Sequence, residues 1–519
     1  MPQLMLFEEK ENEKFKEIVK QNTKQFLEKS NNKEGFVQMR ELILKVKKFI
    51  EENKNERFIV VHDKDADGQS SGGIMYYTLK FGAGIKDVEK WASNRFDFDK
   101  VVEEYGKDNI FVFTDLGSGQ TDLIKRAGID LTKTIIFDHH LKLINTYAKY
   151  EVNPNFFGFS GTFEISGAGM TYLLAREYGL TKLSQIAIVG ATGDMQNTFY
   201  GLRGLNRILL EDGVKSGFVR IRVGLPIFGR ETRPLFKSLQ LLNEPKLFKS
   251  KEHVYAFLFN EVKFEFEDTK KPLNDIGSDV FTDPQTGELT TKEKVLQKLI
   301  YIEYIRKAPI LLKPFASIFV AGENYELLTF PKGTPLRDSK EFATLLNAMN
   351  RQGRVSDIGI ELTSFNHEKV INEALSIQRK VRRELAKSLR EITEELPERK
   401  KNYKFMVVLD ETGIVQSHAT GTILQMLIDK LTPLYNKPLV GFTRTDDGIK
   451  VSLRESKILY LNDLNLAIAV ERSASKVGGQ GGGHSVACGA KVPEDRLDEF
   501  LEILHKELYK QAIEKKILF

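Results

Sequence analysis

The sequence predicts a two-domain α/β protein: a parallel-sheet domain joined, through an inserted middle region and a long helix, to a smaller α/β domain. Between about residues 57 and 217, short β-branched runs alternate with helical segments, as in a parallel sheet covered by helices. A helical pattern then extends over residues 368–396, and strand-like runs resume after residue 403. The predicted divisions are a helical lead-in (1–56), the sheet domain (57–224), the middle region with its connector helix (225–402) and the smaller domain (403–519).

The composition is that of a globular protein with a sizeable core, with 41% hydrophobic and 29% charged residues. Cys488 is the single cysteine, which excludes an intramolecular disulfide and a cysteine-based zinc site. The acidic, amphipathic N-terminus is unlike a signal peptide, and no apolar run reaches membrane-spanning length. We therefore expect a cytoplasmic protein with no membrane association. The formal net charge of +5 permits a polyanionic partner without predicting one.

The lead-in carries apolar residues at helical spacing, which predicts amphipathic helices that pack on the next domain. These residues are Phe15, Ile18 and Val19, followed by Leu42, Ile43, Val46 and Ile50. Four apolar runs then predict the strands of the sheet domain: "FIVV", "NIFVF", "TIIF" and "QIAIVGA".

Each of these four runs leads to acidic residues just beyond its end. The acidic groups are Asp63, Asp65 and Asp67 in "VVHDKDADGQ", then Asp115, then Asp138 with His139 and His140, and then Asp194. Because the carboxyl ends of parallel strands meet at one edge of a sheet, we expect these side chains to converge. Each residue alone could equally be a helix N-cap, a turn residue or a surface histidine. Their repetition at one edge favours a shared site.

Converging carboxylates repel one another unless they take up protons or bind a cation. Aspartate and histidine together suit Mn²⁺ or Mg²⁺, and imidazole favours Mn²⁺. Two such ions would activate a water molecule and stabilise charge on a phosphoryl group, which points to phosphodiester hydrolysis.

The smaller domain combines the strand-like runs "KFMVVLD", "PLVGFTR" and "GIKVSLR" with a glycine-rich loop in "KVGGQGGGHSVACGA". Glycines let backbone amides approach an anion closely, so Gly481, Gly482, Gly483 and His484 are candidate phosphate contacts. A flexible loop or a tight turn is the alternative.

The middle region contains the strand-like "FASIFVAGENYELLTF" and several basic segments. The basic residues could line a track for a nucleic-acid backbone, although each is more typical of a solvated helix face or an ion pair. They are Arg220, Arg222, Arg230 and Arg233, then Arg379, Arg382 and Arg383, then Arg399, Lys400, Lys401 and Lys404, with Phe228 as a stacking candidate.

The ordered motifs "DKDADG", "TDLGS", "DHH" and "GD" resemble those of the DHH phosphoesterases, and the first is similar to that of RecJ-type nucleases. "VGFTRTDDGIKVSLRES" and "KVGGQGGGHSVACGA" resemble the DHH-associated domain. "FTDLGSGQ", "LPIFGRETRPL" and "EFATLLNAMNRQGR" are similar to archaeal RecJ homologues, including the nuclease that associates with GINS in the replisome.

This resemblance implies two Mn²⁺ ions, or Mg²⁺, held by Asp63, Asp65, Asp67, Asp115, His139 and Asp194, with Asp115 as the bridge. It implies that Asp138 and His140 orient or complete the catalytic site, and His140 is a candidate proton donor. Arg454 matches the family's phosphate-binding arginine, beside Gly481, Gly482, Gly483 and His484.

The leading interpretation is a Mn²⁺-dependent exonuclease on single-stranded DNA, with possible activity on RNA and 5′-to-3′ polarity implied by the family. One alternative is a phosphodiesterase of the same superfamily that acts on oligoribonucleotides, cyclic dinucleotides or 3′-phosphoadenosine phosphate. Another is a replisome scaffold that binds GINS, although the complete ligand set argues against a purely structural role.

Overall fold

The computed structural model describes residues 32–93, 97–142, 144–198, 200–242, 245–283, 286–310, 312–446 and 448–517. The predicted helix that contains Phe15, Ile18 and Val19 lies outside these residues. The chain divides into two compact units. The first contains the chain up to Leu241 with Ser250–Glu303 and Phe315–Gln378, and the second contains Leu242–Lys249, Tyr304–Pro314 and Arg379–Phe519.

The α-helices include short turns as well as long elements. They are α1 (Lys33–Glu52), α2 (Ala66–Tyr77), α3 (Phe98–Tyr105), α4 (Thr121–Arg126), α5 (Gly167–Glu177), α6 (Ser184–Gly193), α7 (Asn206–Lys215), α8 (Leu235–Gln240), α9 (Lys251–Ala256), α10 (Phe266–Lys270), α11 (Leu273–Ile276), α12 (Lys292–Lys307), α13 (Ala316–Val320), α14 (Ser339–Arg351), α15 (Ile360–Thr363), α16 (His367–Glu394), α17 (Leu396–Arg399), α18 (Thr420–Met426), α19 (Ile428–Leu431), α20 (Lys457–Leu461), α21 (Leu466–Lys476) and α22 (Leu497–Glu514).

The first unit is built on a parallel sheet of five strands in the order β2-β1-β3-β4-β5. The strands are β1 (Phe58–His62), β2 (Val88–Ala92), β3 (Ile110–Thr114), β4 (Ile135–Phe137) and β5 (Tyr150–Val152). The unit also contains an antiparallel pair of β6 (Val219–Gly224) with β9 (Gly322–Leu327) and a small hairpin of β7 (Val280–Thr282) and β8 (Leu289–Thr291). The predicted parallel-sheet fold is confirmed.

Both faces of this sheet are buried, which explains why β1 and β3 are apolar at nearly every position. On one face, Phe58 and Val60 pack with side chains of α1, α2 and α5. On the other face, Ile59 and Val61 pack with side chains of α3 and α4. The predicted amphipathic helix of the lead-in is α1, whose Ile43, Val46 and Ile50 are buried in the first of these clusters.

Two strand predictions are wrong. The run "QIAIVGA" lies in helix α6, whose residues from Ser184 to Thr192 are all buried. A continuous apolar run of this length does not distinguish a buried strand from a buried helix. In "FASIFVAGENYELLTF", the first half forms helix α13 and only the second half forms strand β9.

The second unit contains a six-stranded sheet in the order β10-β11-β12-β13-β15-β14. Its strands are β10 (Lys400–Asn402), β11 (Val407–Asp410), β12 (Leu439–Thr445), β13 (Gly448–Arg454), β14 (Gln480–Gly483) and β15 (Ala487–Val492). The β11–β12 pair is parallel, and the other pairs are antiparallel.

The predicted connector helix is α16, which ends before Pro397 as the sequence indicates. Its residues belong to the first unit as far as Gln378 and to the second unit from Arg379 onward. Within the described part of the chain, no helix is both long enough and apolar enough to cross a membrane.

Candidate functional site

Three of the predicted aspartates follow neighbouring strands of the parallel sheet. Asp63 follows β1, Asp115 follows β3 and Asp138 follows β4. The backbone N–H of Asp63 donates to Thr114 O (3.4 Å), and that of Asp115 donates to Phe137 O (2.8 Å), so the strand pairing extends to these residues. β2 lies on one side of β1, and the chain then returns to place β3 on the other side of β1. Open α/β sheets bind ligands where the strand order reverses in this way.

Asp115 has a left-handed backbone conformation, with φ of 61°. This conformation is uncommon for a non-glycine residue and costs on the order of 1 kcal/mol, a strain that concentrates at functional sites. Gly167, the first residue of α5, lies against its side chain, and a Cβ added there would sit 2.6 Å from Asp115 Oδ1. Position 167 therefore requires glycine if Asp115 is to keep this position.

Asp65 and Asp67 belong to the start of α2. Asp65 is the N-cap of this helix, and its side chain accepts a hydrogen bond from Gly68 N (3.0 Å). Asp67 is fully buried, and its two carboxylate oxygens accept hydrogen bonds from Gly167 N (2.6 Å) and Ala168 N (3.0 Å). These amides form the first turn of α5, where the helix dipole favours an anion. Two backbone amides thus hold the Asp67 carboxylate in place.

His139 faces three carboxylates. Its Nε2 lies 3.1 Å from Asp115 Oδ1, 3.3 Å from Asp194 Oδ2 and 3.6 Å from Asp67 Oδ2. The other ring nitrogen, Nδ1, lies 2.6 Å from Gly161 O and must carry a proton to donate to that carbonyl. In the neutral ring this leaves the Nε2 lone pair directed at the carboxylates, which is the arrangement of a metal-ligating histidine with a fixed tautomer.

The charges at this cluster are not balanced by the protein alone. Burial, reinforced by Asp67, raises the pKa of Asp194 well above its usual value. Burial opposes charge on His139, but the carboxylates of Asp194, Asp67 and Asp138 raise its pKa above 6.5. Both directions mean that the site attracts positive charge, which a proton or a metal ion can supply.

Several groups of three ligand atoms lie within 4.8 Å of one another, and two of these groups include the predicted metal ligands alone. One group is Asp67, His139 and Asp194, and the other is Asp63, Asp65 and Asp115. Carboxylate oxygen with a single imidazole nitrogen is a donor set suited to Mn²⁺ or Mg²⁺. Asp115 belongs to the second group and also lies closest to His139 of the first group.

The Asp138 carboxylate mainly accepts hydrogen bonds from backbone N–H groups of the loops after β3 and β4. Its Oδ1 accepts hydrogen bonds from His139 N (2.8 Å) and His140 N (3.2 Å), and its Oδ2 accepts from Ser118 N (2.9 Å). His140 Nδ1 also lies 2.8 Å from Asp138 Oδ1. Although burial opposes its charge, these interactions with His140 keep the pKa of Asp138 below its usual range. Asp138 therefore fixes the orientation of His140.

The first unit brings together every residue that the sequence proposed there: Asp63, Asp65, Asp67, Asp115, Asp138, His139, His140 and Asp194. Asp194 lies at the C-terminal end of helix α6, whereas the sequence analysis placed it after a strand.

The sequence did not reveal the supporting residues Gly161, Gly167 and Gln196. Gln196 Nε2 donates to Gly161 O (2.9 Å), the carbonyl that also binds His139. "GDMQN", in which Gln196 follows Asp194 closely, was the available signal.

In the second unit, Arg454 is the last residue of β13, and its Nη1 donates to Leu453 O (2.7 Å). Burial of the guanidinium lowers the pKa of Arg454 from its usual value. Among the residues that the structure describes, no carboxylate lies within 4.0 Å of its guanidinium nitrogens. Arg454 is partly buried, and a cation in these surroundings has capacity to bind an anion.

The glycine-rich segment is a strand instead of the predicted loop. Gly481, Gly482 and Gly483 lie in β14, at the edge of the sheet, and pair with β15. His484 then begins a tight turn in which His484 N donates to Ala487 O (3.0 Å). An edge strand carries one row of backbone N–H and C=O groups that the sheet does not use. The role of these four residues in phosphate binding stays a prediction.

The predicted basic track is wrong at Arg230. This side chain is buried and forms a bidentate ion pair with Glu293, with Nη2 to Oε2 at 2.9 Å. Arg220 and Arg222 both pair with Glu326, and Arg399 pairs with Glu395. These arginines balance local carboxylates, so they are not positioned as dedicated phosphate contacts.

Residues 57–193 match the model of the DHH family, N-terminal domain, and residues 402–510 match the DHHA1 domain. The chain thus contains a DHH-family N-terminal domain followed by a DHHA1 domain. Within that family its architecture is RecJ-like.

Solved structures with this fold include RecJ from Thermus thermophilus in complex with Mn²⁺, with 15% identity and a TM-score of 0.52. That match covers 91% of this chain and 55% of RecJ, so the chain spans about half the length of that relative. CDC45 from Entamoeba histolytica matches with 10% identity and a TM-score of 0.55, covering 91% of this chain and 99% of CDC45. An uncharacterized protein of Methanocaldococcus jannaschii is 29% identical over 457 residues, which cover 85% of this chain and 91% of that protein.

Proposed function

We propose that this protein is a Mn²⁺-dependent phosphodiesterase that degrades single-stranded nucleic acid from one end. The observation that carries the proposal is the pair of ligand groups that meet at Asp115. The DHH and DHHA1 matches support a phosphoesterase. A purely structural protein would have no need to gather buried carboxylates at the cost of their mutual repulsion.

Asp67, His139 and Asp194 would hold one ion, and Asp63, Asp65 and Asp115 the other, with Asp115 shared between them. When bound, such ions lower the pKa of a coordinated water and stabilise charge that develops on a phosphoryl group. Mn²⁺ is favoured over Mg²⁺ because a histidine nitrogen belongs to the donor set.

The protein's own residues prepare this site before substrate arrives. The amides of α5 hold Asp67, Gly161 O holds the His139 ring, and Asp138 holds His140. Nδ1 of His140 lies 2.8 Å from Asp138 Oδ1, and this contact fixes the orientation of a ring that can exchange a proton with substrate. His140 is therefore our candidate for protonating the leaving oxygen.

Arg454, with Gly481, Gly482, Gly483 and His484, is proposed to bind a substrate phosphate away from the bond that is cleaved. The arginine supports this role because it is a partly buried cation with no close carboxylate among the described residues. Association with GINS or another replisome component stays a prediction that a binding assay with the purified partner would test.

The deciding experiment is a time course with Mn²⁺ on single-stranded DNA and RNA labelled at either end, beside a dinucleotide and a cyclic dinucleotide. Stepwise shortening of the long strands supports the proposal, and the label that is released first gives the polarity. Rapid turnover of the short substrates alone would instead favour the small-substrate phosphodiesterase. Absence of hydrolysis on all four substrates would contradict a catalytic function.

A further inference from the structure

Three large apolar side chains are exposed beside the loop that carries His139 and His140. Leu141, Tyr147 and Phe156 are 54%, 55% and 40% exposed. Tyr147 and Phe156 are in contact at a ring-centroid distance of 5.8 Å, edge to face. We call this cluster the Tyr147 platform.

Lys142 lies against the ring of Tyr147, and a buried ion pair holds it there. Its ammonium is 4.2 Å from the centroid of the ring, and its side chain is 2% exposed. Both oxygens of Glu151 accept hydrogen bonds from this ammonium, at 2.7 and 2.8 Å. Because the cation covers one face of a ring that is still more than half exposed, the opposite face is presented to solvent.

The backbone on either side of Tyr147 is also fixed. The hydroxyl of Thr121 donates to Thr146 O (2.6 Å), and Ala148 N donates to Glu151 Oε2 (3.2 Å). A ring that is held in this way loses little conformational entropy when a flat ligand stacks on it.

The platform is joined to the catalytic loop by two asparagines. Asn153 Nδ2 donates to His140 O (2.9 Å), and Asn155 Nδ2 donates to His139 O (3.0 Å). Phe156 follows directly, and its N–H donates to Asn153 O (3.1 Å). The same short segment therefore positions the two histidines and the aromatic rings.

We propose that the exposed face of Tyr147 stacks on a nucleobase of the substrate, next to the phosphate that is cleaved. This inference rests on the proposed function and deepens it, because it makes a base beside the scissile bond a requirement for efficient cleavage. Three side chains are too small an apolar surface for a stable protein interface. A single rigid ring with an adjacent cation is suited to one base, and such stacking tolerates any sequence.

The test compares Tyr147→Leu with wild-type protein on single-stranded oligonucleotides in which one terminal nucleotide at a time is abasic. On the intact strand we expect Tyr147→Leu to lower kcat/KM about tenfold. On the substrate that lacks the stacked base, wild-type and variant rates should converge. Tyr147→Phe should restore the base-dependent rate, since it retains the ring. Phe266→Leu, at an aromatic residue that is 53% exposed elsewhere in the first unit, is the matched control and should change neither rate.

The outcomes separate this inference from the proposed function. If Tyr147→Leu lowers the rate equally on intact and abasic strands, or on neither, stacking on Tyr147 is wrong while nuclease activity stands. If wild-type protein with Mn²⁺ cleaves no strand at all, the proposed function is wrong and the inference is overturned with it. Unchanged circular dichroism and Tm for Tyr147→Leu would show that the variant is folded.

Discussion

The two units place charge in their interiors in opposite ways. In the first unit, Asp67, Asp115 and Asp194 surround one histidine nitrogen, so that anionic groups are in excess. In the second unit, Arg454 is a partly buried cation, and burial raises the pKa of Glu411 to about 9, with Thr420 and Arg454 opposing the shift. Glu411 therefore keeps its proton near neutral pH and does not neutralise the arginine.

This difference indicates what each region can bind. A cluster with an excess of buried carboxylates gains most from a divalent cation, whereas a buried guanidinium gains most from an anion such as phosphate. A phosphodiesterase that binds metal ions and substrate phosphates requires both kinds of site. The following predictions test whether the two regions differ in this way.

The largest effect is expected for Asp115→Asn. An amide is a poorer ligand for a hard cation than a carboxylate, and Asp115 belongs to one ligand group and lies 3.1 Å from His139 of the other. We expect Mn²⁺-dependent hydrolysis of labelled single-stranded DNA to fall by roughly a thousandfold or more. Asp108→Asn, at an exposed aspartate, is the control and should retain the wild-type rate. Normal cleavage by Asp115→Asn would refute the shared-ligand assignment.

A smaller loss is expected for Gly167→Ala. Its new methyl group would come within 2.6 Å of Asp115 Oδ1 and displace that side chain. All of the candidate metal ligands would still be present in this variant. The expected result is a 10- to 100-fold weaker apparent affinity for Mn²⁺, measured from the metal dependence of the rate. Gly119→Ala is the matched control, because a Cβ at position 119 meets nothing within 4 Å. Equal metal affinities for the two variants would contradict this description of the site.

The second region is tested by Arg454→Gln. We expect KM for single-stranded DNA to rise about tenfold and the dependence of binding on salt to weaken by about one phosphate contact, with a smaller change in kcat. Arg444→Gln is the control, because Arg444 is exposed and pairs with Glu494. A fall in kcat alone would argue against a role for Arg454 in binding phosphate.

The smallest effect concerns the pH dependence of stability. Unfolded Glu411 loses its proton near pH 4.5, whereas the folded state retains it until about pH 9. Wild-type stability should therefore decrease as pH rises through this window, and Glu411→Gln should lack this contribution. Between about pH 6 and about pH 8, the free energy of unfolding of wild type relative to the variant should fall by about 1.4 kcal/mol per pH unit. Urea unfolding of wild type and Glu411→Gln at several pH values measures this difference. If the difference between their free energies of unfolding stayed constant over this pH range, Glu411 would be ionised in the folded protein.

The sequence predicted the central strands better than the sheet margins. Runs such as "FIVV" and "NIFVF" are apolar throughout because both faces of β1 and β3 are buried. The edge strands β2 and β5, with sequences "VEKWA" and "YEV", contain charged residues and so lack a continuous apolar run, and β5 has only three residues. Helix α6 was mistaken for a strand because burial on all sides removes the amphipathic period that identifies a helix.

The sequence by itself determined the candidate ligand set, because acidic and histidine residues at the ends of successive elements leave a pattern that chemistry can interpret. Only the tertiary structure decided how these ligands are held: the amides of α5 on Asp67, the carbonyl of Gly161 on His139, and the lysine behind Tyr147. The first two contacts depend on backbone atoms that every residue possesses, and the third depends on how the chain folds between Lys142 and Tyr147. Residue identity alone therefore carries no record of them.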